Sequence, residues 1–467
     1  MNYENIFVNG QWVKPSTSDK IEVENPADKT IITSVPACKE KDVDIAVAAA
    51  KKAFKTWQFT SLEERIRLVE DLVKELRNRE EDMVDTIVKE LGAPREFARK
   101  THVRPYLDEI EYLVDVIKNY PLEEVQDGFT ILKEPIGVVG ALTPWNYPFG
   151  QITKKLAPIL LTGNTIVLKP SQKTPLIAYI LAEAIEKVGF PKGVFNLLPG
   201  KGADVGNPLA LHPDVDIITF TGSTSGGKEV SKLASQDVKR MVLELGGKSP
   251  AIILEGVDLK LALSKVLNNI YFNTGQSCSA LSRLIIPLKD KEKIEQMIID
   301  MTKDYTIGDP TNPDTMIGPL SSKKQFDKVK GYIEKGIQEG ATMLLGEIPK
   351  ESSGYFVNPV VFTDVKNNMH IAQEEIFGPV LCVIAYDTID EAIEIANDTD
   401  YGLSAAVFGP EIEALAVARK IKAGQVIING APGSHKAPFG GYKRSGVGRE
   451  GGKYGLEEFL EIKVLYK

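Results

Sequence analysis

The first half of the chain alternates short apolar runs with amphipathic helical patterns. A helix is expected from Ser61, where Glu64 could complete a capping box with the serine. Each apolar run ends near Gly, Pro, Ser or Thr, as is typical of buried strands covered by helices. The pattern predicts an α/β fold with a doubly wound, Rossmann-type sheet and ligands at the carboxyl ends of its strands. The runs are residues 136–142, 165–168, 194–198 and 215–220, with a predicted helix at 175–188.

A second α/β stretch, roughly residues 248–440, repeats this style. A chain of 467 residues is too long for one ordinary hydrophobic core, so two large domains and a smaller element are expected. The helices predicted in the second stretch are residues 291–305, 323–339 and 389–397.

Two further segments are typical of protruding strands. Asp127 and Gly128 precede the apolar residues 129–132, which is a hairpin signature. Residues 460–466 alternate apolar and charged side chains near the carboxyl terminus. An unprotected strand can pair with another subunit, whereas pairing within the monomer is the alternative that periodicity leaves open.

Composition and charge exclude several classes of protein. The apolar fraction of 43% and the charged fraction of 26% are those of a globular protein. A net charge of -8 without a basic patch argues against nucleic-acid binding. There is neither a signal-peptide pattern nor an apolar run of about 18 residues, so we expect no membrane span. Three scattered cysteines suit a reducing compartment, and a cytoplasmic location is expected. The spacing of cysteines and histidines predicts no metal site.

Cys278 is the cysteine best placed for chemistry. It lies in a polar stretch of small residues, 273–279, where Gly275 would let a ligand approach the sulfur. Cys382 lies inside an apolar run and is expected to be an inert core residue, and Cys38 is expected at the surface or in a linker. Local composition alone leaves an inert thiol as the more common interpretation of Cys278.

Glu244 is a candidate general base. It ends the apolar run 241–243, and Gly246 and Gly247 follow it in what we expect to be a tight turn. A carboxylate in such a place is commonly only a cap or turn ligand. Partial burial could instead raise its pKa to that of a general base.

A glycine turn, Gly222 to Gly227, follows the predicted strand at 215–220 and precedes a helix expected near Lys228. Free backbone N–H groups and the helix dipole at such a turn can bind a pyrophosphate. The spacing departs from the usual GxGxxG pattern, so this motif is weak on its own.

Seven short motifs follow one another along nearly the whole chain. They begin at Thr143 (TPWNYP), Lys169 (KPS), Phe220 (FTGS), Glu244 (ELGGK), Gly275 (GQSC), Glu375 (EIFGPV) and Pro438 (PFGGYK). In their order and approximate spacing they resemble the motifs of the aldehyde dehydrogenase superfamily, in its NAD(P)-dependent, hydrolytic form with a cysteine nucleophile. The ordered set is far more specific than any single motif.

The resemblance implies a set of catalytic residues. In that family the cysteine matching Cys278 attacks the aldehyde carbon, and the amide matching Asn146 holds the oxyanion together with the cysteine's own N–H. Water activated by the glutamate matching Glu244 then hydrolyses the thioester. Lys155 matches a lysine that the family keeps near this glutamate and the nicotinamide ribose. The expected function is oxidation of an aldehyde to a carboxylic acid.

The resemblance also implies a site for NAD or NADP. Lys169 matches a lysine that reaches the adenosine ribose, and Ser223 is expected at the pyrophosphate. Glu375 and Phe377 are expected at the nicotinamide end. The full set of predicted cofactor residues is Thr143, Trp145, Lys169, Ser171, Gln172, Gly222, Ser223, Gly227, Leu245, Glu375 and Phe377.

Gln172 departs from the pattern of strict NAD users, which commonly carry a glutamate at this position. A glutamate repels a 2′-phosphate and a glutamine does not. Lys173 would add positive charge beside it. The choice between NAD and NADP therefore stays open, with NAD as the preferred interpretation.

An aldehyde channel is expected beside Asn146. If a helix begins near Pro148, residues 147, 151 and 154 share one face, and 431–437 is expected at the channel mouth. The predicted channel residues are Tyr147, Gln151, Lys154, Ser277 and Ser279.

Two hypotheses about the role of Lys154 follow from its position. Its position is similar to that of an arginine that holds the distal carboxylate in succinic semialdehyde dehydrogenases, although Phe272 stands where those enzymes have a second arginine. One hypothesis is a preference for aldehydes with an anionic or strongly polar tail. The other is that Lys154 only extends to solvent at the channel mouth.

The resemblance implies three structural units and an oligomer. The predicted NAD(P)-binding domain comprises residues 1–118 and 137–247, and the catalytic domain residues 248–449. Residues 119–136 and 450–467 are the predicted oligomerisation strands of a homodimer or homotetramer.

Two other functions compete with hydrolytic oxidation. An acylating enzyme of the same superfamily would pass the thioester to coenzyme A, but the presence of Glu244 argues against it. A non-catalytic protein on the same scaffold, as lens crystallins resemble enzymes, would not need Cys278, Asn146 and Glu244, which are all present.

Overall fold

The computed structural model describes residues 3–434 and 436–467, which form two large sheets and two small ones. In chain order the strands are β1 (Ile6–Val8), β2 (Gln11–Val13), β3 (Lys20–Glu24), β4 (Ile31–Pro36), β5 (Glu123–Gln126), β6 (Phe129–Pro135), β7 (Val138–Leu142), β8 (Thr165–Lys169), β9 (Phe195–Leu197), β10 (Ile217–Thr221), β11 (Arg240–Glu244), β12 (Pro250–Ile253), β13 (Arg283–Pro287), β14 (Thr342–Leu345), β15 (Val360–Thr363), β16 (Val380–Tyr386), β17 (Ser404–Phe408), β18 (Gln425–Ile428), β19 (Gly446–Val447) and β20 (Leu460–Tyr466).

The helices cover the faces of these sheets. In chain order they are α1 (Glu40–Trp57), α2 (Leu62–Asn78), α3 (Glu80–Leu91), α4 (Arg95–Phe97), α5 (Arg104–Lys118), α6 (Pro148–Leu161), α7 (Leu176–Val188), α8 (Asn207–Leu211), α9 (Thr224–Ala234), α10 (Leu259–Tyr271), α11 (Lys291–Thr302), α12 (Lys323–Gln338), α13 (His370–Gln373), α14 (Ile389–Asn397), α15 (Glu411–Ala418) and α16 (Gly452–Glu457).

The larger sheet has the strand order β19-β11-β10-β7-β8-β9-β1-β2. Its central strands β11, β10, β7, β8 and β9 are parallel, and its edges are antiparallel. The chain winds from β7 towards β8 on one side and returns to β10 on the other, so β7 and β10 flank the point where the strand order reverses. Ligands bind at such a point in doubly wound sheets. The predicted fold class is therefore confirmed, with strand ends shifted by one or two residues.

The second large sheet has the order β14-β15-β16-β13-β12-β17-β18, and only β14 runs antiparallel to its neighbour. Residues 245–249 connect β11 directly to β12, so Glu244 ends the first sheet just before the second begins. The three helices predicted for this half are present, although α11 ends three residues earlier than predicted.

A third, smaller sheet contains the predicted hairpin and the terminal strand. Gly128 turns the hairpin with a φ of 80°, a conformation that glycine adopts without strain. β20 pairs antiparallel with β6, from Leu460 opposite Pro135 to Tyr466 opposite Phe129. The terminal strand thus pairs within its own chain. Within the predicted terminal segment 450–467, Gly452–Glu457 form the helix α16 and Leu460–Tyr466 form the strand.

Two predictions about helix starts need correction. Ser61 does accept a hydrogen bond from the Glu64 N–H at 3.2 Å, but the Glu64 carboxylate pairs with Arg67 instead of closing a capping box. The helix expected near Lys228 begins at Thr224 with Ser223 as its N-cap. Serine is a better N-cap than the glycines that follow it, and this explains the earlier start.

The two cysteines outside the cleft are both core residues. Cys382 is buried, as predicted, and its thiol contacts the Ile371 carbonyl at 3.1 Å. Cys38 is also fully buried, so its predicted surface location is wrong. It packs with Val43 and Val47 of α1, whose apolar face covers it.

Candidate active site

A cleft with about 590 Å³ of empty space, part of it open to solvent, lies beside the carboxyl ends of β10 and β11, between the two large sheets. It brings together Cys278, Glu244 and Asn146, which are far apart in the sequence. Its lining residues are Pro144, Trp145, Asn146, Gln151, Thr221, Gly222, Ser223, Glu244, Leu245, Gly246, Cys278, Gln325, Lys328, Glu375 and Phe377.

Cys278 follows a turn with an unusual backbone. Asn273, Thr274 and Gly275 have φ values of 52°, 57° and 69°, in the left-handed region. A β-carbon on Gly275 would lie 2.1 Å from the Gly378 carbonyl oxygen. Glycine is therefore required at 275 because another backbone approaches it, rather than because a ligand does.

The Cys278 thiol lies in surroundings that favour its protonated form. Burial raises the pKa of the thiol to about 12, and the carboxylates of Glu375 and Glu244 act in the same direction. The positive charge of Lys154 and a backbone hydrogen bond oppose this rise in the pKa. The thiol therefore needs a base to become a nucleophile.

Asn146 is held against the cysteine loop by two hydrogen bonds. Its side-chain N–H donates to the Gln276 backbone carbonyl at 3.1 Å, and its backbone carbonyl accepts from the Asn273 side-chain N–H at 2.9 Å. A side-chain amide carries two N–H donors, so a second one is available to a ligand. Asn146 is 3% exposed, and it reaches the cleft near Cys278.

Glu244 is a buried carboxylate at the end of β11, and neither of its oxygens has a hydrogen-bond partner among the residues described. Burial raises its pKa well above the usual value, and the charge of Glu450 adds to the rise, whereas Lys155 and Lys154 oppose it. A buried carboxylate with a raised pKa and free oxygens is suited to accepting a proton.

The glycines after Glu244 do not form the predicted turn. Residues 245–249 run without a turn to β12, and neither Gly246 nor Gly247 has a positive φ. A β-carbon on Gly246 would lie 2.7 Å from the Glu375 carboxylate, and one on Gly247 would lie 2.4 Å from the Cys278 carbonyl oxygen. These glycines thus provide space for close approach rather than a change of direction.

Lys155 does not line the cleft but lies behind it. It is 1% exposed, forms an ion pair with Glu450 and donates to the Thr221 hydroxyl at 2.7 Å. Glu450 also acts on the pKa of Glu244, so these charges form one buried group. Glu450 was not predicted, because nothing in the glycine-rich stretch around it indicates burial.

The turn after β10 forms one end of the cleft. The Ser223 hydroxyl accepts the Gly226 N–H at 3.1 Å and so caps α9. Gly222 lines the cleft, whereas Gly227 lies inside the first turn of α9, where a β-carbon would lie 2.5 Å from a Leu245 methyl group. Gly227 therefore permits helix packing. It was expected to form part of the turn, and it does not.

Three predicted cofactor residues, Trp145, Glu375 and Phe377, form another part of the lining. The Glu375 carboxylate accepts the Gly247 N–H at 3.0 Å. Trp145 and Phe377 pack edge to face, with ring centroids 5.4 Å apart. All three line the cleft together with Glu244.

Four further predicted residues gather near the carboxyl end of β8, beyond the residues that line the cleft. Burial lowers the pKa of Lys169 to about 8, and its ammonium donates to the Pro170 carbonyl at 2.8 Å. The Thr143 N–H donates to the Lys169 carbonyl at 3.2 Å, and the Ser171 hydroxyl accepts the Lys173 N–H at 3.2 Å. Gln172 is half-buried in the same loop.

The predicted channel residues belong to the cysteine loop and to α6 with its N-cap, Tyr147. Tyr147 stacks on buried His102 with ring centroids 4.5 Å apart, and its hydroxyl contacts Ser277. The Ser277 and Ser279 hydroxyls are 3.2 Å apart. Gln151 lines the cleft from α6. In the predicted channel mouth, His435 lies outside the described residues.

Lys154 is half-buried, and its ammonium group lies over two aromatic rings. It is 4.5 Å from the Phe439 ring centroid and 5.9 Å from that of Tyr106. Burial opposes its charge, but the pKa of Lys154 is nevertheless raised by the carboxylates of Glu109, Glu450 and Glu244. This ammonium is therefore stabilised by rings and carboxylates.

Several lining residues were missed by the sequence motifs. Gln325 and Lys328 have the i, i+3 spacing that places them on one face of α12, but the spacing does not indicate which face meets the cleft. Pro144 and Thr221 lie inside motifs without having been assigned a role, and Gly246 was assigned only to a turn.

The described residues contain neither a cluster that could hold a metal ion nor a helix that could span a membrane. Within 3–434 and 436–467 there is no group of three or more His, Cys, Asp or Glu side chains placed to hold a metal ion. No helix in the same part of the chain has both the length and the apolar character needed to cross a bilayer.

Comparison with known proteins gives a consistent family. The family model described as "Aldehyde dehydrogenase family" matches residues 12–465. A putative aldehyde dehydrogenase of Staphylococcus aureus (strain bovine RF122 / ET3-1) is 47% identical over 468 residues, which cover 99% of this chain and 98% of that protein.

Two solved structures are similar over nearly their full lengths. One is a cysteine-to-alanine variant of aldehyde dehydrogenase C from Pseudomonas syringae with NAD+ and octanal, which is 42% identical with a TM-score of 0.98 and coverage of 99% of this chain and 96% of that one. The other is an aldehyde dehydrogenase of Mycobacterium tuberculosis with NAD+, which is 40% identical with a TM-score of 0.97 and coverage of 100% and 98%.

Proposed function

The chain belongs to the aldehyde dehydrogenase family of oxidoreductases, and we propose that it oxidises an aldehyde to the carboxylic acid through a thioester on Cys278. The observation that carries this proposal is the meeting of Cys278, Asn146 and Glu244 in one cleft. The direct test is the absorbance of reduced cofactor with a panel of aldehydes, without and with coenzyme A. Turnover without coenzyme A supports hydrolysis, turnover only with coenzyme A indicates acyl transfer, and no turnover with any aldehyde contradicts the proposal.

We propose that Cys278 is the nucleophile and that N–H groups beside it hold the oxyanion formed by its attack. Cys278 would attack the aldehyde carbon as a thiolate, which the positive charge of Lys154 favours, and its proton would pass to water in the cleft rather than to Glu244. The free N–H of Asn146 and the Cys278 backbone N–H would then hold the oxyanion. Removing one such donor typically slows a reaction of this kind by about 10²–10³-fold.

Glu244 is the proposed base for hydrolysis. Its oxygens have no competing hydrogen bond in the described residues, so they can accept a proton from a water molecule near the thioester. Behind it lies the buried ion pair of Lys155 and Glu450, in which the charge of Glu450 raises the pKa of Glu244 and that of Lys155 lowers it. We propose that Lys155 acts on this pKa and does not contact the substrate.

The residues around the cleft fit a nicotinamide dinucleotide, which supplies the acceptor for the aldehyde's hydride when it is bound. Gly222 and the first turn of α9 offer backbone N–H groups to a pyrophosphate, and no acidic side chain lies in residues 221–228. Trp145 and Phe377 would flank the nicotinamide end, and Glu375 would bind its ribose. NAD+ is the cofactor in the two similar structures described above.

The choice between NAD and NADP is proposed to depend on Gln172. Replacing Gln172 with Glu should raise the preference for NAD over NADP at least tenfold, because a carboxylate would face the 2′-phosphate (about 1.4 kcal/mol). The measurement is the ratio of kcat/KM for the two cofactors. Gln338→Glu, at an exposed end of α12, introduces the same charge far from the cleft and should leave the ratio unchanged. An unchanged ratio in Gln172→Glu would mean that residue 172 does not face the ribose.

The substrate class is proposed to depend on Lys154. Its ammonium lies over Phe439 and Tyr106 beside the channel, so an aldehyde with an anionic or strongly polar tail could contact it. We expect Lys154→Met to lower kcat/KM for a semialdehyde about tenfold more than for an uncharged aldehyde of equal length. Lys52→Met, at an exposed position of α1, is the matched control. Equal loss for both aldehydes would reject the hypothesis.

The division into domains and the assembly remain proposals. We propose the cofactor-binding and catalytic units with the boundaries given above, and a homodimer or homotetramer in the cytoplasm. Support for assembly comes from β20, whose Ile462 and Tyr466 are 69% and 84% exposed. Such apolar exposure on an edge strand favours contact with another copy. Light scattering after size exclusion would test it, and a monomer would contradict it.

A further inference from the structure

The segment Glu375 to Gly378 crosses one wall of the cleft with a strained backbone. Phe377 has a φ of 63°, in the left-handed region that a bulky side chain rarely adopts. Glu375 and Phe377 both line the cleft. A left-handed aromatic residue persists only when the surrounding structure holds it there, so groups that contact this segment must supply the restraint.

Gln325 provides the restraint. Its side-chain N–H group donates to the Ile376 carbonyl at 3.2 Å and to the Phe377 carbonyl at 2.8 Å. These two carbonyls stand before and after the α-carbon of Phe377, so fixing both oxygens restricts φ and ψ of that residue together. The two N–H donors of the Gln325 amide thus hold the two carbonyls that flank one strained residue.

Gln325 is itself held firmly. It lies in the first turn of α12, and its backbone N–H donates to Ser322, the N-cap, at 3.4 Å. It is only 9% exposed. A buried side chain on the first turn of a capped helix has little freedom to move, so it can fix a neighbouring segment.

The restrained segment contacts both halves of the site. The Phe377 ring packs edge to face on Trp145, and the Glu375 carboxylate accepts the Gly247 N–H. On its other side, the Gly378 carbonyl lies against Gly275, in the turn that precedes the cysteine. A change in the backbone at Phe377 would therefore alter the wall proposed for the nicotinamide end.

We propose that Gln325 is a positioning residue that holds Phe377 in its left-handed conformation and so keeps the Glu375 to Gly378 wall ready to bind the nicotinamide end of the cofactor. This inference rests on the proposed use of a nicotinamide cofactor. Without the amide, the segment would adopt the wall conformation only part of the time. The apparent affinity for the cofactor falls by the same fraction as the binding-competent population.

The test is the binding of NADH to Gln325→Met, which keeps the length of the side chain and removes both donors. We expect the dissociation constant, measured by nicotinamide fluorescence, to rise about tenfold, with a faster dissociation rate. Gln338→Met, at the exposed end of the same helix, is the matched control and should bind like the wild type. Gln325→Asn keeps the amide but is shorter, so it should show a rise in the same direction.

The outcomes separate this inference from the proposed function. If wild-type protein neither binds NADH nor oxidises any aldehyde, the proposed function fails. If the wild type does both and the folded Gln325→Met binds NADH within twofold of Gln338→Met, only the role of Gln325 is overturned. If Gln325→Met does not fold, the same comparison is decided by Gln325→Asn.

Discussion

Replacing Cys278 with alanine should reduce aldehyde oxidation by about 10⁴-fold or more, a loss typical of removing the nucleophile from a catalytic unit. The reason is that no other thiol reaches the cleft: Cys38 and Cys382 are both buried in the core. Binding of NADH should be nearly unchanged, because the substitution removes a single sulfur atom from the end of the proposed cofactor site. The two measurements are steady-state turnover and nicotinamide fluorescence on the same preparation.

The matched control is Cys382→Ala, which removes a thiol from the core instead of the cleft. It should lower the free energy of unfolding but leave the turnover of the folded enzyme close to that of the wild type. Retention of more than a few per cent of turnover by Cys278→Ala would remove Cys278 from the mechanism.

Replacing Glu244 with glutamine should separate the two halves of the reaction. Glutamine has nearly the same shape but is a poor base, so attack and oxidation could occur once while hydrolysis of the thioester stalls. We expect a burst of reduced cofactor close to one per active site, followed by a steady-state rate lowered about 10²–10⁴-fold. Stopped-flow absorbance measures the burst, and mass spectrometry of the intact protein would detect the acyl group.

The pH dependence of the wild type gives an independent check. Burial and the charge of Glu450 raise the pKa of Glu244 well above its usual value. The carboxylate form is the base, so the hydrolysis rate should fall as the pH drops through that raised pKa. Glu244→Gln should lose this acid limb, since the amide does not titrate. Glu255→Gln, at a solvent-exposed carboxylate, should keep both the full rate and the limb. Full turnover by Glu244→Gln would show that another group activates water.

Much of the fold could be predicted because its signals are local. A buried strand is a short apolar run between turn residues, and four such runs became β7, β8, β9 and β10. The start of α9 was misjudged by four residues because several serines and glycines there could each begin a helix. The N-cap at Ser223 is decided by a single hydrogen bond to Gly226, which the pattern of residue types does not specify.

Site residues could be predicted from the sequence mainly where they belong to one of the seven motifs. Cys278, Glu244 and Asn146 were expected together from seven ordered motifs, and they line one cleft. Glu450 and Gln325 lie outside those motifs. Lys155 and Glu450 are 295 positions apart, so no periodicity in either segment could indicate that they form an ion pair.

The glycines show most clearly which features follow from local sequence and which depend on the folded chain. Glycine clusters after β10 and β11 are visible in the sequence and indicate where side chains are not accommodated. What needs the space became clear from the folded chain: Gly227 approaches Leu245, and Gly247 approaches the Cys278 carbonyl. The two kinds of information differ because the interactions behind them act over different distances along the chain. Strands, turns and caps depend on neighbours a few residues away, whereas close approach, burial of charge and the raised pKa of Glu244 depend on segments that only folding brings together.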